Sequence, residues 1–235
     1  MQDLGGAIQL ALSLIVSADR NLAEIVSLSL LVSLTATALS CIIGVTLGAV
    51  LATTRFAGRG AVIAVVNALM GLPPVVIGLI VYLALSRSGP LGFLGLLYTP
   101  TAMIIAQTIL VTPIVAALSR QILEDLHVEY DEYFRSLCLP HRNVVAALIW
   151  DGRFSVLTAG LAGFGRAVAE VGAVIIVGGN IDHLTRVMTT AIALETSKGD
   201  LALALALGTI LMAIALFVNG LVYYIRCTAL RSAYA

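Results

Sequence analysis

Five long apolar stretches, at about 25–52, 61–85, 98–119, 154–178 and 201–225, dominate this chain. A helix rising ~1.5 Å per residue needs roughly twenty such residues to cross ~30 Å of hydrocarbon, and each stretch is long enough. With 60% hydrophobic and 11% charged residues, too little polar surface remains to coat a water-soluble globule. The sequence therefore predicts an all-α integral membrane protein, a single transmembrane domain over residues 1–235 with five spans. The stretch from Ala7 to Ser17 is apolar but too short to cross, which predicts an interfacial helix. The first residues, Met1 to Gly6, carry Asp3 and no cation, so they do not read as a cleavable signal peptide. Gly44 with Gly48, and Gly160 with Gly163, place small residues where helices can approach closely without a hydrophobic drive from lipid.

Five spans put the two termini on opposite sides, and the cations decide which. Arg55, Arg59, Arg120, Arg135, Arg142, Arg153, Arg226 and Arg231 fall on one side; Arg20, Arg87, Arg186 and Lys198 fall on the other. The positive-inside rule makes the first side cytoplasmic, with the N-terminus outside and the C-terminus inside an inner, multi-pass membrane protein surrounded by lipid. No basic tract suits nucleic acid. Cys41, Cys138 and Cys227 lie far apart with no CxxC pair, so neither a disulfide framework nor a thiolate metal site is indicated. His127, His141 and His183 all lie outside the spans, which excludes a buried histidine metal site and an intramembrane Ser–His pair.

The longest polar segment runs from Gln121 to Asp151. A connection of that length is usually functional or disordered, and disorder is excluded because Leu123, Leu126, Tyr130, Phe134, Leu137, then Val144, Val145 and Leu148 recur at helical spacing. Pro140 is expected to divide it into two short helices, a hairpin projecting into the cytoplasm. Its exposed surface is expected to come from Tyr130, Tyr133, Phe134 and Leu137, ringed by Glu124, Glu129, Asp131 and Glu132.

Arg166 and Glu170 stand one turn apart inside the fourth span, where an ionised group is costly unless paired or wetted. They read either as lining a permeation path or its gate, or as a local ion pair clipping two helices together. Gly178, Gly179 and Asn180 read as a helix terminator, with a supplementary reading in which exposed backbone N–H groups and the nearby Arg186 meet an anion. Pro73-Pro74 should break the second span and Pro113 the third. Trp150 and Tyr98 read as interface anchors.

The segment around Glu132 resembles the cytoplasmic coupling loop of ABC importer permeases, which reads E-A-A, three residues, G, then nine residues before I-x-L-P. Glu132, Tyr133 and Phe134 occupy the first three positions, Cys138 that of the glycine, with Leu139 and Pro140 following; Leu148, Trp150 and Asp151 meet the end of the pattern. Tyr-Phe for Ala-Ala and Cys for Gly depart from it. The run GFGRAVAEVGAVIIVGGNIDHLTRVMTTAIALETSKGD, residues 163–200, is similar to the oxyanion permeases, where R-A-x-x-E-x-G precedes G-N-I and T-R. TTAIALETSKGD resembles the tungstate permeases more than the molybdate or sulfate ones. The resemblance implies a type I ABC importer permease fold, a homodimer of this chain, an ABC ATPase subunit bound at the coupling loop, an extracytoplasmic substrate-binding protein, and Arg166, Glu170, Asn180 and Arg186 along the path or gate.

The residues agree with that division of labour independently. A P-loop ends in Gly-Lys-Ser/Thr, whereas the one lysine, Lys198, stands in Thr-Ser-Lys-Gly. The chain is therefore expected not to be an enzyme and to bind no cofactor, ATP being used by the partner. A secondary transporter or channel is the alternative, but such folds show repeated halves and no internal repeat is evident here. An intramembrane enzyme would need paired catalytic groups within the bilayer, and only Glu170 offers itself.

Overall fold

The computed structural model describes residues 20–233, and every regular element within them is helical. The segment 7–17 lies outside the described residues. The helices are α1 (Arg20–Thr53), α2 (Arg59–Leu69), α3 (Pro74–Leu85), α4 (Pro100–Ser136), α5 (His141–Asp151), α6 (Arg153–Val168), α7 (Gly172–Gly178), α8 (Met188–Lys198) and α9 (Leu201–Ala233), with a 3-10 turn at Gly92–Leu94. Three of them, α1, α4 and the Leu201–Gly220 part of α9, are each long and apolar enough to cross a membrane alone, and two bent pairs raise the spans to as many as five.

The centre of the fold is α1 lying along α4. Gly44 and Gly48 make this contact possible. A Cβ at Gly44 would sit 2.9 Å from Val115 Cβ, and one at Gly48 would sit 2.8 Å from both the Ala116 carbonyl oxygen and the Arg120 nitrogen. Gly163 brings α6 equally close, with Val111 Cγ1 2.8 Å from where its Cβ would be, and Gly160 abuts Cys41. Three threonine hydroxyls of α1 are satisfied within the helix: Thr37, Thr46 and Thr53 each donate to the carbonyl four residues earlier, so they add no unpaired polar group in an apolar medium.

The second expected span is indeed broken at Pro73-Pro74. Pro74 opens α3 at a position where its missing N–H costs nothing, and α2 and α3 meet at 99°. At 11 and 12 residues, neither half can cross alone. Pro113 behaves otherwise than expected. It lies buried inside α4, and the helix continues through it for 37 residues. Packing by α1 holds the helix there, and the adjacent Thr108 carbonyl accepts from both Ser40 Oγ and Thr112 Oγ1.

Two further differences concern element boundaries. The first arm of the expected hairpin is not a separate short helix but the tail of α4, which at ~1.5 Å per residue is about 55 Å long and overshoots the hydrocarbon. The fourth span is interrupted: α6 stops at Val168 and α7 restarts at Gly172. No proline causes this break; tertiary contacts to Glu170 do, as described below. The chain after Asn180 then folds back as α8, whose first turn, Met188 to Ala191, is buried. The short helices α3 and α7 pack on each other through Gly78, where a Cβ would meet Ala173 Cα at 2.7 Å. Ile77, Val81, Ala102, Ala106, Ala173 and Val177 form the shared core.

Candidate functional site

Glu170 sits in the gap between α6 and α7 and is 6% exposed. One carboxylate oxygen, Oε1, accepts from Ala173 N at 3.2 Å and so satisfies a free amide at the start of α7. The other, Oε2, lies 3.5 Å from Arg166 Nη2. Its carbonyl accepts from Thr189 Oγ1 of α8 at 2.9 Å. Glu170 thus joins three helices: its carboxylate pairs with Arg166 of α6 and satisfies the first turn of α7, and its main-chain carbonyl anchors α8. The charge is balanced by Arg166, whose side chain is 39% exposed while its partner is enclosed. Gln107 of α4, 3% exposed, donates from Nε2 to the Ala167 carbonyl at 3.1 Å and fastens the last turn of α6 to the central helix.

Asn180 and Arg186 belong to a different place. Gly179 takes φ 73 and closes α7, its N–H donating to the Ile175 carbonyl at 2.9 Å, as the Gly-Gly-Asn run predicts. Asn180 follows at φ 50, with Nδ2 3.5 Å from the Thr190 carbonyl. The Ile181 N–H is bonded to Thr185 Oγ1 at 2.9 Å, and Arg186 Nη1 to Asp182 Oδ1 at 2.7 Å. Arg186 lines an open cleft of about 630 Å³ with Arg20, Asn21, Glu24, Asp182 and His183. None of these residues lines the cavity beside Glu170, so Arg166 and Glu170 form one cluster and Arg186 another. His183 Nδ1 lies 2.8 Å from Glu24 Oε2; that hydrogen bond, with Asp182 nearby, holds its imidazole above the usual value of 6.5.

At the opposite end, the α4 tail and α5 form a hairpin with its own core of Leu123, Phe134, Val144 and Leu148, closed against Ala49 and Ala52 of α1. The turn is a Schellman closure: Cys138 N donates to the Arg135 carbonyl at 3.1 Å and Leu139 N to the Phe134 carbonyl at 3.3 Å. Cys138 has φ 49, a left-handed conformation that favours glycine, which accounts for a glycine at the matching position of the coupling-loop pattern. Pro140 caps α5. Phe134 and Tyr130 do not supply the exposed apolar surface expected of them. Phe134 is 9% exposed within the hairpin core, and Tyr130 donates its hydroxyl to Asp151 Oδ2 at 2.9 Å. Tyr133 and Leu137, 62% and 51% exposed, hold the outer face beside exposed Glu132. Glu124 faces inward to Arg59 and Arg120.

Trp150 is exposed, with the Arg153 guanidinium 4.7 Å from its ring centre, and Tyr98 packs edge-on to Tyr82 at 6.3 Å. Among the described residues no group of three or more His, Cys, Asp or Glu side chains could hold a metal ion. Sequence reasoning missed Gln107, Thr189 and the Arg59–Glu124–Arg120 cluster. Gln107 carried a usable signal, as an amide within the apolar third span.

Residues 44–226 match the family described as binding-protein-dependent transport system inner membrane component. The chain is similar to the tungstate uptake system permease protein of Peptoclostridium acidaminophilum, 38% identical over 226 residues, covering 96% of this chain and 99% of that protein. It is similar to the probable anion ABC transporter permease protein of Haloferax volcanii, 40% identical over 211 residues, covering 86% and 91%. It is also similar to the tungstate uptake system permease protein of Campylobacter jejuni, 40% identical over 164 residues, covering 70% and 69%.

Proposed function

The chain belongs to the family of binding-protein-dependent transport system inner membrane components, and from that premise we propose that it forms the translocation path of an ATP-driven oxyanion importer, with tungstate as substrate and molybdate as the second candidate. The observation that carries the reading is the similarity to a tungstate uptake permease over nearly the whole of both chains. In this reading two copies of the chain enclose the path. A separate ATPase subunit hydrolyses ATP and docks on the hairpin of the α4 tail and α5, at Glu132, Tyr133 and Cys138. A substrate-binding protein delivers the anion at the other face. The N-terminus lies outside and the C-terminus in the cytoplasm, a reading the arginine distribution supports.

Arg166 and Glu170 act at the gate. A doubly charged tetrahedral anion needs positive potential along its path, and the partly exposed Arg166 side chain on a broken helix offers it, while the buried carboxylate keeps that arginine in place. Asn180 and Arg186 lie further along the same path, near its outer mouth. Tight capture is left to the binding protein, so no strong anion site is needed within the membrane.

The test is uptake into proteoliposomes holding the permease, its ATPase and its binding protein. Tungstate accumulation that requires ATP, competes with molybdate and falls in Arg166→Gln is the expected result. Accumulation driven by an ion gradient without ATP would establish a secondary transporter instead. Normal transport by the double variant Arg166→Leu/Glu170→Leu would reduce the pair to a structural clip.

A further inference from the structure

Beneath the α6–α7 break lies a small cavity bounded by α1, α4, α8 and α9 as well as the break itself. Val26, Leu30, Leu211 and Ile214 furnish apolar walls, and Gln107, Glu170, Ser29 and Thr189 are among its polar lining. Its free volume is about 20 Å³, enough for one water molecule and far too little for a tetrahedral oxyanion.

The hydrogen bonds of the lining leave one enclosed acceptor without a donor. Ser29 Oγ donates to the Ile25 carbonyl at 2.6 Å and accepts from Met188 N at 2.7 Å. Thr189 Oγ1 donates to the Glu170 carbonyl. Gln107 Nε2 donates to the Ala167 carbonyl, which fixes the amide orientation, because a flipped amide would set oxygen against oxygen. Gln107 Oε1 is left fully enclosed, and among the described residues no donor reaches it. An enclosed amide oxygen without a donor is rare in folded proteins, and a buried water is the usual answer. The acceptors with capacity left over are Gln107 Oε1 and the Glu170 carboxylate, while the second Gln107 N–H and the Ser33 hydroxyl remain as donors. The Glu170 carboxylate opposes an anion, and a small neutral molecule that both donates and accepts fits.

We propose that this cavity is a binding site for a single water molecule, which donates to Gln107 Oε1 and, with its second hydrogen, to the acceptors around Glu170. The broken helix is then held to α4 by one direct bond and one exchangeable solvent bridge, so α6 and α7 can reorient about residues 169–171 by releasing a water rather than by exposing a bare amide. The inference does not depend on which substrate is carried.

The deciding measurement is a high-resolution map of the assembled transporter in lipid nanodiscs, collected once in sodium and once in thallium salt. The expected result is one isolated peak within hydrogen-bond distance of Gln107 Oε1, unchanged and without anomalous signal in thallium. A dry cavity overturns the proposal, and so does a thallium peak, which would make the site a monovalent-cation site. In a Gln107→Leu map the peak is expected to vanish; a peak that persists there places the water on other groups and also overturns the assignment. Should Gln107→Leu fail to assemble, the two wild-type maps still decide.

Discussion

Glu124 on the tail of α4 accepts a hydrogen bond from Arg59 Nη2 at 2.7 Å, while the Nε of the same arginine donates to the Leu51 carbonyl at 2.7 Å. One guanidinium therefore ties the end of α1 and the start of α2 to the helix that carries the hairpin. Arg120, one turn before Glu124, meets the other carboxylate oxygen.

Glu124→Gln is expected to destabilise the protein by about 1 kcal/mol, because the groups are partly exposed and solvent weakens the pair. Arg59→Gln should cost more, since it also strips the Leu51 carbonyl. Thermal unfolding in mild detergent should show the double variant less destabilised than the two singles added together, as for residues in direct contact. Additive losses would show that the two side chains do not interact in solution.

Cys138 offers a stabilising change. Its φ of 49 strains a residue with a side chain by about 1 kcal/mol relative to glycine. Cys138→Gly should raise the unfolding midpoint, and Cys138→Val should lower it, since a β-branched residue fits that conformation worst. A midpoint lowered by the glycine would contradict the strain argument.

The small residues of α1 give a sharper contrast. Gly48→Leu would drive a side chain into the backbone of Ala116 and Arg120, and is expected to abolish stable insertion. Gly165→Ala, where a Cβ meets nothing within 4 Å, should be neutral or slightly stabilising. Expression and gel-filtration profiles of the two variants distinguish them directly.

What was legible in the sequence followed from local rules. Apolar length marked the spans, Gly44 and Gly48 marked the closest helix pair, Pro73-Pro74 marked the bend, and Gly178-Gly179 marked the end of α7. What was not legible depends on distant partners. Pro113 was read as a breaker because a lone helix breaks there, but α1 supports it along its length. The gap at Glu170 carries no proline; there Ala173 and Arg166 meet the Glu170 carboxylate and Thr189 its backbone carbonyl, so three different elements converge on one residue. The α4 tail and the hairpin's first arm were separated only because polarity rises after Arg120, and a helix does not stop where its surroundings change from lipid to water.

His183 supplies a pH dependence. Its imidazole is held above 6.5 by the hydrogen bond to Glu24 and by the nearby Asp182 charge. Because the folded value is raised, the contact stabilises fully below the unfolded value and is lost as pH rises through the folded one. The difference in midpoint between the parent and His183→Gln should be largest in mildly acid buffer and shrink toward alkaline pH. A difference that grows with pH would reverse the assignment. The exposure of both groups keeps the effect small.

The hairpin separates folding from docking within one helical turn. Phe134 is packed among Leu123, Val144 and Leu148, so Phe134→Ala removes a core aromatic and should cost about 3 kcal/mol, loosening the hairpin and its binding together. Tyr133 and Leu137 lie four residues apart on the outer face, where Tyr133 keeps a tilted ring contact with Phe134 at 6.3 Å and both give an incoming groove adjacent apolar contacts. Tyr133→Ser with Leu137→Ser should therefore leave the unfolding midpoint within about 0.5 kcal/mol of the parent while reducing the ATPase that co-purifies in mild detergent. Glu132→Ala, also outward-facing, should weaken the same association more at low salt than at high salt, because its contribution is electrostatic. If the double serine variant retains full ATPase binding and substrate-stimulated hydrolysis, the ATPase engages another surface, and the exposed face of the α4 tail has no part in coupling.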